Sequence, residues 1–177
     1  MKINKLCCKN FRNIEYAELE PCEGMNVICG ENAQGKTNLL ESIWLFTGAK
    51  SFRNSKDANF IRFGEEKAVC DLLFNAEGIE KEAKIEIKEK RTAFLNSNKL
   101  KSPSMLAGSF NAIVFSPNDL KIVTDGPSIR RKFLDIALGQ LYPSYIEILR
   151  KYTRAITQRN QLIKEYMFGW QCYRAAA

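Results

Sequence analysis

Gly30, Gly35, Lys36 and Thr37 fill every fixed position of the pattern G-x-x-x-x-G-K-[ST]. A triphosphate needs its charges desolvated without losing hydrogen bonds. Consecutive backbone N–H groups curling into a helix N-terminus provide donors and the positive end of a dipole. Gly30 and Gly35 permit the backbone angles and the close approach that a Cβ would block. Lys36 places a mobile point charge on the outer phosphates. The Thr37 hydroxyl suits Mg2+, which also takes phosphate oxygens and water.

Such a loop needs a strand before it and a helix after it. Met25 to Cys29 is a short apolar run with β-branched residues, and it predicts a buried strand. Leu39, Leu40, Ile43 and Phe46 recur at helical spacing and predict an amphipathic helix. Gly48 is placed to cap that helix. A chance Gly-rich turn would need the motif and both flanks to coincide by accident.

Upstream, residues 2–10 and Glu15 to Glu20 predict two strands, with Pro21 to Gly24 as a turn. Downstream, residues 51–64 are polar and basic and predict a loop with a short helix. Ala68, Cys70, Leu72 and Phe74 alternate on one strand; Ile79, Ala83, Ile85 and Ile87 alternate on the next. Asn96-Ser97-Asn98 reads as a hairpin tip. Residues 66–100 are thus an antiparallel meander, with one face rich in Lys and Glu. Ala112 to Phe115 reads as a further short strand. Ser116 and Pro117 open a helix, Pro127 opens another to about Gln140, and Pro143 opens the last. On that helix Tyr145, Leu149, Tyr152, Ile156 and Ile163 form an apolar seam.

The fold expected is α/β: a P-loop lobe over residues 1–115, a helical basic lobe over 116–166 and an atypical tail over 167–177. The 177 residues carry 27 Lys+Arg against 20 Asp+Glu, a net charge of +7, which suits an acidic partner. Most of that charge is concentrated. From Arg130 to Lys164, eight bases face only Asp135 and Glu147. Arg130, Arg131, Lys132, Arg150, Lys151 and Arg154 are the candidate contacts to a nucleic-acid backbone, against the alternative of a solvated helical face. Arg159 falls on the apolar seam and is expected to hold helices together.

The chain has no histidine, which excludes His-based catalysis within it. Cys7, Cys8, Cys22, Cys29, Cys70 and Cys172 form no C-x-x-C pair and read as reduced, mostly buried thiols of a cytoplasmic protein. No apolar run reaches the ~18 residues of a membrane span. An acid for Mg2+ and water at the end of an apolar strand is not evident. Asp71 and Asp135 are the nearest to such a residue, and both read as ordinary positions. A phosphate cradle without visible hydrolysis machinery leaves three readings open: an ATP-dependent DNA-repair protein or part of one, a small-molecule P-loop kinase or phosphotransferase, and a nucleotide- or DNA-binding module without turnover.

Beyond the loop, the chain resembles the RecF family of bacterial recombination-repair ATPases. The resemblance is carried by Asn10-Phe11-Arg12-Asn13, Gly30-Glu31-Asn32-Ala33-Gln34-Gly35-Lys36-Thr37-Asn38-Leu39-Leu40-Glu41-Ser42-Ile43 and Lys50-Ser51-Phe52-Arg53. It continues through Phe115-Ser116-Pro117-Asn118-Asp119-Leu120, Gly126-Pro127, Arg130-Arg131-Lys132-Phe133-Leu134-Asp135 and Gln158-Arg159-Asn160. It implies an ABC-type head, like those of the structural-maintenance-of-chromosomes proteins, with a mixed sheet, an antiparallel meander and the start of a helical second lobe. It implies ATP held by residues 30–37, Mg2+ on Thr37, and Arg12 and Asn13 near the nucleotide. It further implies ATP-dependent dimerisation, binding of duplex DNA at gap junctions, and loading of RecA with RecO and RecR in recombination, replication and the SOS response. Ala33 and Asn118 stand where the family usually has Gly and an acid. The family pattern also continues past this chain, to the signature segment and the Walker B acids. A shortened product, a shifted reading frame and an engineered piece all fit that, as does a tail over 167–177 unlike the family.

Overall fold

A computed structural model describes the backbone of residues 1–53 and 55–175, and side chains up to residue 166 apart from those at 54, 118 and 121. The side chains of Asn118 and of the tail over 167–177 therefore lie outside the described residues.

Six strands form one sheet in the order β2-β1-β3-β4-β5-β6, and every pairing is antiparallel. They are β1 (Lys2–Phe11), β2 (Ile14–Leu19), β3 (Ala68–Ala76), β4 (Ile79–Ile87), β5 (Arg91–Leu95) and β6 (Asn98–Lys99). The period-2 reading holds on β3, where Ala68, Cys70, Leu72, Phe74 and Ala76 are all buried. It holds on β4 from Ala83 to Ile87, while Ile79 is exposed beside the turn. Two-residue turns join β3 to β4 and β5 to β6. Glu77-Gly78 and Asn96-Ser97 each have both φ positive, the hand that matches strand twist.

β1 breaks its own alternation. Leu6 and Cys8 point inward, so strict period 2 would turn Phe11 out. Asn10 adopts φ +54°, which a short polar side chain tolerates, and Phe11 swings into the core against Phe60 with ring centroids 5.4 Å apart.

Helix α1 (Lys36–Leu45) packs against β1. Of the apolar stripe read in the sequence, Phe46 is buried and Leu39 and Ile43 pack against the core, whereas Leu40 is exposed. The buried side is wider than that stripe and also takes in Glu41, Ser42, Trp44 and Leu45. The helix turns a polar strip inward because two of those groups have partners there. Cys8 Sγ donates to Ser42 Oγ at 3.2 Å, and Glu41 meets Arg12. Gly48, at φ +76°, ends the helix region, and a Cβ on it would lie 2.9 Å from the Ala107 nitrogen.

Two expected strands are absent. Met25 to Cys29 and Ala112 to Phe115 are irregular and pair with no strand among the described residues. Most of their apolar side chains are exposed: Met25 is 89% exposed, Val27 77%, Ile113 94% and Phe115 81%, while Ala112 packs against the core. A strand is defined by its partner as much as by its own composition, and these segments pair with none of the six strands.

Past residue 116 the chain is helical. A 3-10 turn over Pro117–Leu120 leads into α2 (Lys121–Thr124), followed by α3 (Pro127–Leu141) and α4 (Pro143–Ala175). Ser116 and Asp119 close the first start, with the Ser116 N–H and hydroxyl both donating to the Asp119 carboxylate at 2.6 and 2.8 Å. α3 and α4 pack as a hairpin where Gly139 faces Ile146, close enough that a Cβ would be 3.0 Å away. The seam read on α4 is only partly packed. Tyr145, Leu149 and Ile156 are half-buried, while Tyr152 and Ile163 are exposed.

Of the described cysteines, Cys8 and Cys70 are buried opposite one another, Cys7 is half-buried, and Cys22 and Cys29 are exposed. The expectation that most are buried is corrected at those last two, because the segments carrying them are unpaired.

Candidate nucleotide-binding site

Residues 30–35 curl from the irregular segment into α1. Gly35 is the N-cap at φ +96°, with no side chain capping the helix and no acid in its first turn. The first amides of a helix have no intrahelical acceptor, so the positive end of α1 opens into the loop unneutralised. Lys36 folds over this opening. Its Nζ donates to the Gly30 carbonyl at 2.7 Å and the Glu31 carbonyl at 2.6 Å, which holds the ammonium at the loop's mouth. Thr37 sits one residue into the helix and is exposed, with its hydroxyl available to a cation. Glu31, Asn32, Ala33 and Gln34 form the exposed crown of the loop, and Ala33 is left-handed at φ +67°. Uncapped amides, a poised ammonium and an exposed hydroxyl are the donor set that a nucleotide's phosphates with Mg2+ require.

Arg12 and Asn13 form the β1–β2 turn and part ways there. Asn13 touches the loop: its Nδ2 donates to the Ala33 carbonyl at 2.6 Å, and its Oδ1 accepts from Asn38 Nδ2 at 2.7 Å. A Cβ on Gly35 would lie 2.9 Å from Asn13 Oδ1, so this position needs glycine for space as well as for φ. Arg12, at φ +56°, turns beneath α1 instead. Its Nε lies 2.7 Å from Glu41 Oε2, an ion pair off ideal hydrogen-bond alignment. Its Nη2 donates to Ser55 Oγ at 2.7 Å, and the guanidinium stacks 4.9 Å above the Phe60 ring.

Glu41 is 0% exposed, and a carboxylate there must be paired. Ser51 Oγ donates to its Oε1, and Arg53 Nη1 stands 3.9 Å from Oε2 while donating to Asn38 Oδ1 at 2.9 Å. A polar network therefore runs from the loop crown through Asn13, Asn38 and Arg53 to the buried Glu41–Arg12 pair. Sequence reading placed Arg12 and Asn13 near the loop but gave no role to Asn38, Glu41, Ser51 or Arg53. The available signal was an acid, Glu41, lying between Leu40 and Ile43 on a helix whose apolar pattern marks the buried side.

The basic residues of α3 and α4 differ in their surroundings. Arg130 closes the α2–α3 junction: its Nε donates to the Ile122 carbonyl at 3.0 Å and its Nη2 to the Val123 carbonyl at 3.2 Å. Arg150 ties α4 to the sheet domain through Ser104 Oγ at 2.6 Å. Lys151 pairs with Glu147 one turn back, which also holds the Glu147 carboxyl below its usual range. Arg131, Lys132 and Arg154 are exposed. Arg159, expected to brace the seam, is also exposed and donates to its neighbour Asn160 at 3.3 Å, because the seam has opened before it. Asp135 accepts from Tyr145, whose phenol it holds above its ordinary pKa, so this acid is engaged in the α3–α4 contact. Asp71 lies on the outer face of β3, raised by burial and opposed by Lys84.

Residues 1–166 match the AAA ATPase domain family. The chain belongs to that family. Within it, the similarity is to the N-terminal half of RecF. The RecF named as a DNA replication and repair protein in Clostridium novyi is 44% identical over 168 residues, covering 94% of this chain and 46% of the relative. That of Thermoanaerobacter sp. is 39% identical over 171 residues, covering 96% and 47%. The chain thus spans about half the length of these relatives. A solved structure of the recombination mediator RecF with an ATP analogue superposes with a TM-score of 0.87 at 38% identity, over 92% of this chain and 45% of that one. The head domain of the Thermotoga maritima SMC protein shares the fold, with a TM-score of 0.50 at 24% identity over 71% of this chain and 52% of that one. The P-loop α/β fold of an ATPase head is therefore the fold of this AAA ATPase domain. Among the described residues, no helix is long and apolar enough to cross a membrane.

Proposed function

We propose that this chain binds ATP with Mg2+ through residues 30–37 and serves as the nucleotide-binding half of a RecF-type protein of recombinational DNA repair. The observation that carries the reading is the loop itself. The uncapped start of α1, the Lys36 ammonium and the Thr37 hydroxyl converge on one opening, in a chain similar to RecF structures solved with nucleotide. Binding without turnover is the reading for the chain by itself. Glu41, the buried acid nearest the loop, is committed to Arg12 and Ser51 and cannot serve as a general base. By the same resemblance, the partners are RecO and RecR in loading RecA, a second copy of the protein when ATP is bound, and duplex DNA at gap junctions. Arg131 and Arg154 are the bases proposed to reach DNA phosphates first, with Lys132 and Lys151 as lesser contacts. Arg130 and Arg150 act mainly in holding the helical lobe.

Titration of a fluorescent ATP analogue tests the nucleotide assignment. Lys36→Ala removes a charge-assisted contact and weakens binding roughly tenfold to a hundredfold. Equal affinity for the variant and the parent overturns it. For DNA, the log of duplex affinity falls with log salt by about 0.9 per neutralised phosphate, so replacing Arg131 and Arg154 with Glu flattens the slope. Unchanged slopes assign these residues to a solvated face.

A further inference from the structure

The crown of the phosphate loop contains a residue in an unfavourable conformation. Ala33 holds φ +67°, a left-handed geometry that an L-residue with a Cβ disfavours roughly fivefold to thirtyfold. The carbonyl of that same residue accepts from Asn13 Nδ2 at 2.6 Å. The carboxamide is fixed at its other end as well. Asn13 Oδ1 accepts from Asn38 Nδ2, and Asn38 Oδ1 in turn accepts from Arg53. Since Asn38 sits in the first turn of α1, one side chain bridges the crown of the loop and the helix it feeds. Gly35 leaves the space this bridge occupies, because a Cβ there would collide with Asn13 Oδ1.

We propose that Asn13 is a positioning residue for the phosphate loop. It holds the Ala33 peptide in its left-handed form and so keeps the loop's N–H groups aimed at the phosphates. This rests on the nucleotide-binding reading above. The contribution is to the fraction of loops already competent to bind. Apparent affinity scales with that fraction, so the effect is transmitted without contact to the ligand.

The mechanism fixes a coupling that a direct phosphate contact does not. Asn13→Ala removes one hydrogen bond and weakens MgATP binding roughly twofold to tenfold. With Ala33→Gly in place, left-handed backbone carries no Cβ penalty, and the loop keeps its shape without the clasp. The loss on Asn13→Ala then shrinks to less than about twofold. The experiment is a double-mutant cycle on Asn13→Ala and Ala33→Gly, read by titration of a fluorescent ATP analogue, with Lys36→Ala alongside. A full loss in both backgrounds makes Asn13 a direct ligand contact and overturns the proposal; no loss in either does the same. Lys36→Ala separates the two levels. If Lys36 matters and Asn13 does not, only the positioning role fails; if neither matters, the nucleotide reading fails. Amide hydrogen exchange across residues 31–36 without nucleotide supplies the independent readout. Asn13→Ala speeds exchange there, and unchanged rates overturn the proposal even where no nucleotide binds.

Discussion

The meander and the flanks of the phosphate loop are built from similar residues and end up in opposite states. On β3, alternate apolar side chains are buried in the core, and both strand edges are paired. At Met25 to Cys29, an equally apolar run stays irregular, unpaired and exposed. Composition is the same kind of information in both places, so the difference lies in topology. β3 has neighbours close in sequence on one side and the N-terminal strand on the other. The loop strand has none among the described residues. Hydrophobicity states what a segment needs, and pairing decides whether it is met.

The largest test of that contrast is in stability. Leu72→Ala opens a cavity in a closed core and lowers unfolding free energy by about 3 kcal/mol. Val27→Ser, in the exposed segment, changes it by less than about 0.5 kcal/mol. Urea denaturation of both variants measures the difference, and comparable losses would mean that the loop flank is packed after all. Arg12→Ala comes close behind. It strips the main partner from the buried Glu41 while leaving Ser51 and Arg53, and it destabilises by about 2–3 kcal/mol, short of the full cost of orphaning a buried charge. A Glu41→Gln change in the same background recovers part of the loss, because the uncompensated charge is gone. Failure to recover would assign the effect to the stacking of Arg12 on Phe60.

Sequence reading succeeded where local rules decide. The motif glycines, Lys36 and Thr37 identify the loop. Period 2 identifies the buried face of β3. Gly and Asn locate the turns, and Pro127 and Pro143 open helices at the positions observed. It missed where the outcome depends on contacts distant in sequence. The polar inward face of α1 exists because Arg12 and Ser51 arrive from elsewhere to meet Glu41. Arg159 belongs to a stripe with the right period, but helical period does not say where the packing partner stops. Arg130 and Arg150 count as basic surface until a carbonyl and a hydroxyl are seen beneath them.

A smaller effect comes from the outer face of the sheet. Burial raises the Asp71 carboxyl while Lys84 opposes it. A raised folded-state pKa means that the folded protein holds this proton more tightly, so stability falls as pH rises from the ordinary carboxylate range through the raised value. Asp71→Asn removes that slope and raises the melting temperature at pH 7 by at most about 2 °C, because a side chain 41% exposed is well screened. A fall in melting temperature would instead make the Lys84 pairing the dominant effect.

The central claim is that the opening formed by residues 30–37 is where nucleotide binds. Amide hydrogen exchange with and without MgATP tests it at the position in question. The account predicts slowed exchange confined to residues 31–37 and the first turn of α1, abolished by Lys36→Ala. Protection elsewhere, or none at saturating MgATP, would contradict it.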